Sequence, residues 1–153
     1  MNEKQEFLGR IDLFKEVAPK AIKRLAEDTK LVYFPEGHLI RNTARNEASD
    51  TSEIDGLYII KSGSAKVSTS SENGEVAAVI AILRDGNWFG EIGLLDGLPP
   101  SANVAAMSPM ECFFLPRRAF LTALNENPEI AVSMLPGLGR MVRSADQWIS
   151  QLL

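Results

Sequence analysis

The chain has 153 residues, 45% apolar and 24% charged, with 16 Lys and Arg against 20 Asp and Glu. That is enough for one domain that buries about 70% of its unfolded surface, and it excludes wholesale disorder. No apolar run approaches the ~20 residues of a membrane span, MNEKQEFLGR carries no signal-peptide core, and a net charge of −4 argues against a dedicated nucleic-acid binder.

Residues 7–28 read as helical. Leu8, Ile11 and Phe14 share a face, Pro19 suits a first helical position, and Ile22, Leu25 and Ala26 mark a short amphipathic helix from Ala21 to Asp28. From Lys30 the pattern changes to period two and short apolar runs. Strands are expected at 31–34, 38–41, 57–61, 64–70, 75–83, 102–107 and 111–116, about eight in all, in a closed or double-sheet β structure. Residues 42–55 form a polar loop, long for a compact domain and so functional or mobile. Asn73-Gly74 is the dipeptide favoured in a two-residue hairpin. The Gly-rich stretch 85–100 leaves room for one helical turn, Glu91 to Leu95.

The last third is helical again, at 117–127 and then from Pro128 to Leu153. Ala131, Leu135, Leu138, Val142, Ala145, Ile149 and Leu152 recur at alternating spacings of four and three, a heptad seam. Met134, Met141 and Trp148 flank it, so one side can pack on a core while the seam meets a partner helix. A homodimer through residues 131–152 is expected, because a 3.5-residue repeat is narrower than core packing requires. Pro136-Gly137 should kink or loosen this helix.

Candidate chemistry concentrates in 88–104, WFGEIGLLDGLPPSANV. Gly90 and Gly93 let the backbone approach a ligand closely. A helical turn from Glu91 would aim N–H groups outward, towards an anion. Ionised Glu91 only accepts hydrogen bonds and would take them from hydroxyls such as a ribose 2′-OH; Ser101 adds a hydroxyl and Ala102 an N–H. Taken alone, such a loop in a barrel is more often just a turn. One Cys and one His supply too few ligands for a metal site, and the single Cys fits a reducing, cytoplasmic compartment. His38 reads as an ordinary surface or strand residue, Cys112 as a small core residue, and Trp88 as core packing rather than a stacking platform.

The order of helix, eight-stranded barrel, short helix and long helix resembles the cyclic-nucleotide-binding domain of the catabolite activator and Fnr-type regulators. That module also occurs in protein kinase regulatory subunits and ion channels. Its phosphate-binding cassette runs FGE-x-(A/G)-LL and then P-R-(S/T)-A-x-V. This chain has Phe89-Gly90-Glu91-Ile92-Gly93-Leu94-Leu95 and then Pro99-Pro100-Ser101-Ala102-Asn103-Val104. Phe34-Pro35-Glu36-Gly37 and the run Leu57 to Val67 resemble the family's first-strand turn and its Y-I-x-x-G-x-x-x-V run. The resemblance spans roughly residues 12 to 150.

It implies a mainly β fold with flanking helices, an eight-stranded double-stranded β-helix or jelly-roll barrel. One domain is expected over 1–153: N-terminal helices in 1–29, barrel in 30–116 with the cassette at 88–104, and C-terminal helices in 117–153. It also implies a regulatory sensor, not an enzyme, that binds cAMP or cGMP through Phe89, Gly90, Glu91, Ile92, Gly93, Pro100, Ser101 and Ala102. Ligand would shift the 117–153 helices. No helix-turn-helix follows Leu153, so direct DNA binding by that route is not expected of this sequence, a stand-alone domain or a piece of a larger protein.

One departure matters most. The family's cassette Arg, which contacts the cyclic phosphate, is Pro100 here, and proline has no donor. Arg41 and Arg45, by the polar loop, could fold over the pocket. Arg140 and Arg143 lie on the last helix, which in the family contacts the base. Each taken singly reads as a surface charge. The alternative reading is a degenerate, nucleotide-free dimerisation or interaction module of the same fold. A cupin-type enzyme would need several His, and no paired acid and base is visible.

Overall fold

A capping box starts the first helix, α1 (Glu3–Gly9). The Asn2 side chain accepts from the Gln5 N–H at 3.0 Å, and the Gln5 side chain accepts from the Asn2 N–H at 3.0 Å. A 3₁₀ turn (Asp12–Phe14) and α2 (Pro19–Glu27) follow, with Pro19 at the first helical position. Leu8, Ile11 and Phe14 are all buried, as their spacing predicts. They do not share one helix: α1 begins upstream of residue 7 and ends at Gly9. The second helix starts at Pro19, two residues earlier than expected. The computed structural model describes residues 2–41, 55–70 and 76–152. Arg45, the Asn73-Gly74 turn and residues 42–54 of the polar loop lie outside them. So do the side chains of Trp148 and Leu152 in the last helix.

Two compact units form: Thr29–Ala119, and the flanking segments up to Asp28 and from Phe120. The first holds eight strands in two antiparallel sheets: β1 (Lys30–Phe34), β2 (Leu39–Arg41), β3 (Gly56–Ser62), β4 (Ala65–Ser70), β5 (Val76–Leu83), β6 (Trp88–Phe89), β7 (Asn103–Ala106) and β8 (Met110–Pro116). Their orders are β1-β8-β3-β6 and β2-β7-β4-β5. This is the jelly-roll pattern the sequence predicts. The eighth strand is β6, two residues between glycine-rich turns, too short to show a period. A third helix, α3 (Glu91–Asp96), sits between β6 and β7.

Period two explains the core. Tyr58, Ile60, Ala65, Phe89, Val104, Ala106, Met110, Cys112 and Phe114 form one buried cluster. Their neighbours Leu57, Ile59, Phe113 and Leu115 are also buried. Strands β3 and β8 are therefore covered on both faces and read as unbroken apolar runs, whereas β1 alternates, with Leu31 and Tyr33 exposed. Tyr58 anchors the cluster, its ring 4.9 Å from Phe89 and 4.5 Å from Phe114. Such stacked pairs add about 0.5–1.5 kcal/mol each beyond area burial.

In the flanking unit, α4 (Arg117–Glu126) contributes buried Phe120 and Ala123, and the Phe120 ring lies 6.3 Å from Phe14. The last helix, α5 (Glu129–Leu152), runs unbroken through Pro136. Val132 and Pro136 are both exposed there, so water can reach the carbonyl that Pro136 cannot bond. Ile130, Met134 and Gly137 form its buried side, while Leu135, Val142 and Ile149 of the seam are more than half exposed. Gly137 is a packing residue: a Cβ there would overlap the Asp12 carbonyl and crowd Leu13. Arg140 is clamped beside it, donating to both Glu16 carboxylate oxygens at 2.7 and 2.9 Å and to the Asp12 carbonyl at 3.0 Å. That pairing holds the exposed Glu16 carboxyl below its ordinary value.

Candidate functional site

Phe89 fixes where the cassette begins. It pairs with Tyr58 across β3 and β6, and the two rings stack at an interplanar angle of 7°. Gly90 then turns the chain with φ +88°, a left-handed conformation, and caps α3. A Cβ at Gly90 would overlap the Gly56 carbonyl, so the turn approaches β3 more closely than any side chain allows. Within α3, Leu94 is fully buried and Ile92 is 55% exposed. Gly97, at φ +70°, ends the helix, its N–H bonding the Gly93 carbonyl at 2.9 Å.

Glu91 is the first residue of α3 and is half-buried. Burial pushes its carboxyl above the ordinary value, opposed only in part by its own backbone N–H. Among the described residues no side chain donates to it. Pro100, Ser101 and Ala102 follow in the loop from α3 to β7, Ser101 exposed and its two neighbours half-buried. The structure thus gathers Phe89 to Gly93 into one turn and helix, and leads the second group back to the barrel through Asn103.

Sequence reasoning took Arg41 for a surface charge, and the structure corrects this. Its residue is 3% exposed. The cause is a register shift in the β2–β7 pairing between Leu39 and Arg41. Strict alternation would send Arg41 outward with exposed Leu39; the irregularity turns it in beside half-buried Ile40. Arg41 Nη1 donates to the Asp55 carboxylate at 3.2 Å, both side chains nearly fully buried. Arg41 Nη2 stands 3.2 Å from the place a Cβ would take on Gly93. A guanidinium therefore lies against the cassette helix. No periodicity in residues 38–41 signals this inward turn, because it arises from the pairing with β7.

The other candidates sit elsewhere. Arg140 is engaged with Glu16, and Arg143 is exposed on α5. Arg117 donates to the Leu94 and Leu95 carbonyls. His38 is exposed with its ring 5.3 Å from Phe34, and Trp88 is half-buried. Cys112 is fully buried, its thiol pushed up to about 12 by burial, which keeps it unreactive. Among the described residues no His, Cys, Asp and Glu cluster could hold a metal, and no helix is long and apolar enough to cross a membrane.

Comparison with known proteins agrees with this architecture. The family model described as the cyclic nucleotide-binding domain matches residues 49–127. A CRP-like cAMP-activated global transcriptional regulator of Mycobacterium tuberculosis is 28% identical over 148 residues, 97% of this chain. The chain spans 62% of that regulator's length. A cAMP-dependent protein kinase regulatory subunit of Mucor circinelloides is 32% identical over 118 residues, covering 77% of this chain and 26% of the subunit. Among solved structures, the Thermus thermophilus catabolite activator protein superposes with a TM-score of 0.69 at 26% identity, over 92% of this chain and 62% of that one. The sensor domain of the regulator DNR from Pseudomonas aeruginosa gives 0.69 at 21% identity, over 94% and 91% of the two chains. With the model matching just over half of its length, the chain belongs to the cyclic nucleotide-binding domain family.

Proposed function

We propose that this chain is a regulatory sensor for a cyclic nucleotide, held by Phe89–Gly93 and Pro100–Ala102. The observation that carries this reading is Glu91. A desolvated carboxylate with no side-chain donor among the described residues is costly to leave unmatched. A ribose hydroxyl would supply the missing donor. The Gly90 turn, built at a backbone distance that admits no Cβ, supports the same reading, because it holds Glu91 at the start of α3.

Ligand binding would act by population shift: the nucleotide prefers one arrangement of the 117–153 helices, and a second copy joined through residues 131–152 senses the change. The sensor would be one cytoplasmic domain with a regulatory rather than a catalytic role. The related M. tuberculosis protein is named a cAMP-activated regulator, which favours cAMP as the first ligand to test.

Pro100 favours a second reading, an interaction module that binds no nucleotide. Isothermal titration with cAMP and cGMP, on the natural protein and on Pro100→Arg, separates the two. Binding by the natural protein is the expected result. No binding until Pro100→Arg restores it would assign the chain to the second reading. No binding by either protein would overturn the sensor.

A further inference from the structure

We propose that Arg117 sets the affinity of the nucleotide site from the far end of α3, as a positioning residue that keeps the cassette helix formed. This role rests on the nucleotide reading and adds how the cassette is held ready for its ligand. Glu91, which that reading gives to a ribose hydroxyl, is the first residue of α3. Where its carboxylate stands therefore depends on α3 being formed. Six residues with Gly93 among them are too few to hold a helix by its own hydrogen bonds. Leu94 is the buried side chain of α3, so burial secures the middle of the helix and leaves its last turn to other contacts.

Arg117 supplies those contacts. The Leu94 and Leu95 carbonyls lack a helical donor, because the Leu98 N–H goes to the Asp96 side chain at 2.9 Å and Pro99 has no N–H. Arg117 Nε and Nη2 donate to these two carbonyls at 3.1 and 3.4 Å. Gly97 leaves the guanidinium room, since a Cβ there would stand 2.9 Å from Cζ and 3.0 Å from Nη1. Arg117 is itself anchored to the barrel: its N–H donates to the Asp55 carbonyl at 2.8 Å, one step beyond the β3–β8 pair Gly56 and Pro116. All these residues belong to one compact unit, Thr29–Ala119. The barrel thus grips one end of α3 through a guanidinium, and the ligand would grip the other. Two holds on one short helix are coupled, because each lowers the ordering cost that the other meets.

The test is titration of the natural protein, Arg117→Met and Gly37→Ala with cAMP and cGMP, after circular dichroism has shown that each is folded. Gly37→Ala is the control, a substitution that lowers stability from the turn between β1 and β2. Arg117→Met is expected to weaken cyclic-nucleotide binding about three- to tenfold, and Gly37→Ala to leave it unchanged. Equal affinity in Arg117→Met and the natural protein would overturn the role of Arg117 and leave the sensor reading standing. An equal loss in both variants would also overturn it, as a general effect of lost stability. No binding by the natural protein would overturn the sensor reading and this role with it. A second measurement does not depend on Arg117→Met folding. By linkage, saturating cAMP should slow hydrogen exchange at the Arg117 Nε–H of the natural protein by the same factor. The resonance is assigned with Arg117→Lys, and an exchange rate that bound cAMP leaves unchanged would overturn the coupling.

Discussion

Arg117 donates from Nε to the Leu94 carbonyl at 3.1 Å, so the first residue of α4 caps the end of α3. A second bond runs from Nη2 to the Leu95 carbonyl at 3.4 Å, and the Arg117 N–H is held by the Asp55 carbonyl at 2.8 Å. A cation at a helix C-terminus is favourable in itself. Arg117→Met should cost about 1 kcal/mol and lower the thermal midpoint by about 2–8 °C. Arg117→Lys should recover little of it, because an ammonium cannot span two carbonyls as a planar fork does. Melting curves that superpose on the natural protein's would refute the cap.

Gly90 and Gly37 have nearly the same φ, +88° and +87°, but different surroundings. A Cβ at Gly37 meets nothing within 4 Å; at Gly90 it overlaps the Gly56 carbonyl. Gly37→Ala should cost only the left-handed penalty of about 1–2 kcal/mol. Gly90→Ala should cost clearly more and displace the cassette. Urea unfolding of the two variants side by side measures the difference, and equal losses would disprove the close approach.

Burial of the Glu91 carboxyl should cost stability at neutral pH. Its carboxyl is raised from an ordinary 4.5 by burial, so the folded state disfavours the ionised form. At acid pH, below both values, the group is protonated folded or unfolded and contributes nothing. As pH rises through 4.5 and past the raised folded value, the unfolded chain ionises more readily and folding is weakened. Glu91→Gln should therefore raise the melting temperature at about pH 7, leave it unchanged at about pH 3, and weaken nucleotide binding about tenfold or more. A variant less stable at neutral pH would contradict the desolvated carboxylate.

Two glycines two residues apart on α5 should respond in opposite directions. Gly139 has open space where a Cβ would stand, so Gly139→Ala should stabilise by about 0.5–1 kcal/mol through helix propensity. Gly137 faces the Asp12 carbonyl and Leu13, so Gly137→Ala should destabilise despite the same propensity gain. Chemical denaturation of the pair decides; a stabilised Gly137→Ala would mean that α5 does not pack there.

The α5 seam is expected to join two copies. Leu135 is 59% and Val142 63% exposed, large apolar side chains at heptad positions. Val142→Glu should convert a dimer to a monomer in sedimentation equilibrium with the helix content kept. A natural protein that sediments as a monomer would remove the seam's role.

The barrel was legible because its signals are local. LYII and CFFL mark strands buried on both faces, and Gly90 with Glu91 marks the cassette. What escaped depends on partners far along the chain. Strand β6 is two residues long and is defined by its pairing with Tyr58 and Ile59. The inward turn of Arg41 comes from a one-residue shift against Val104, which no periodicity shows. On α5 the seam was visible, but which residues are buried was set by the approach of Asp12 to Gly137. Only the Asn2–Gln5 capping box could have been read in advance, as the Asn-x-x-Gln spacing that places α1's start.

Cys112 gives the barrel an internal clock. As the chain's sole thiol, fully buried in the β core, it can be alkylated only when the strands around it part. Its labelling rate therefore counts openings of the barrel. A ligand that binds only the closed form slows that count in proportion to its occupancy, so one irreversible modification reports folding and binding together without a probe being added to the molecule.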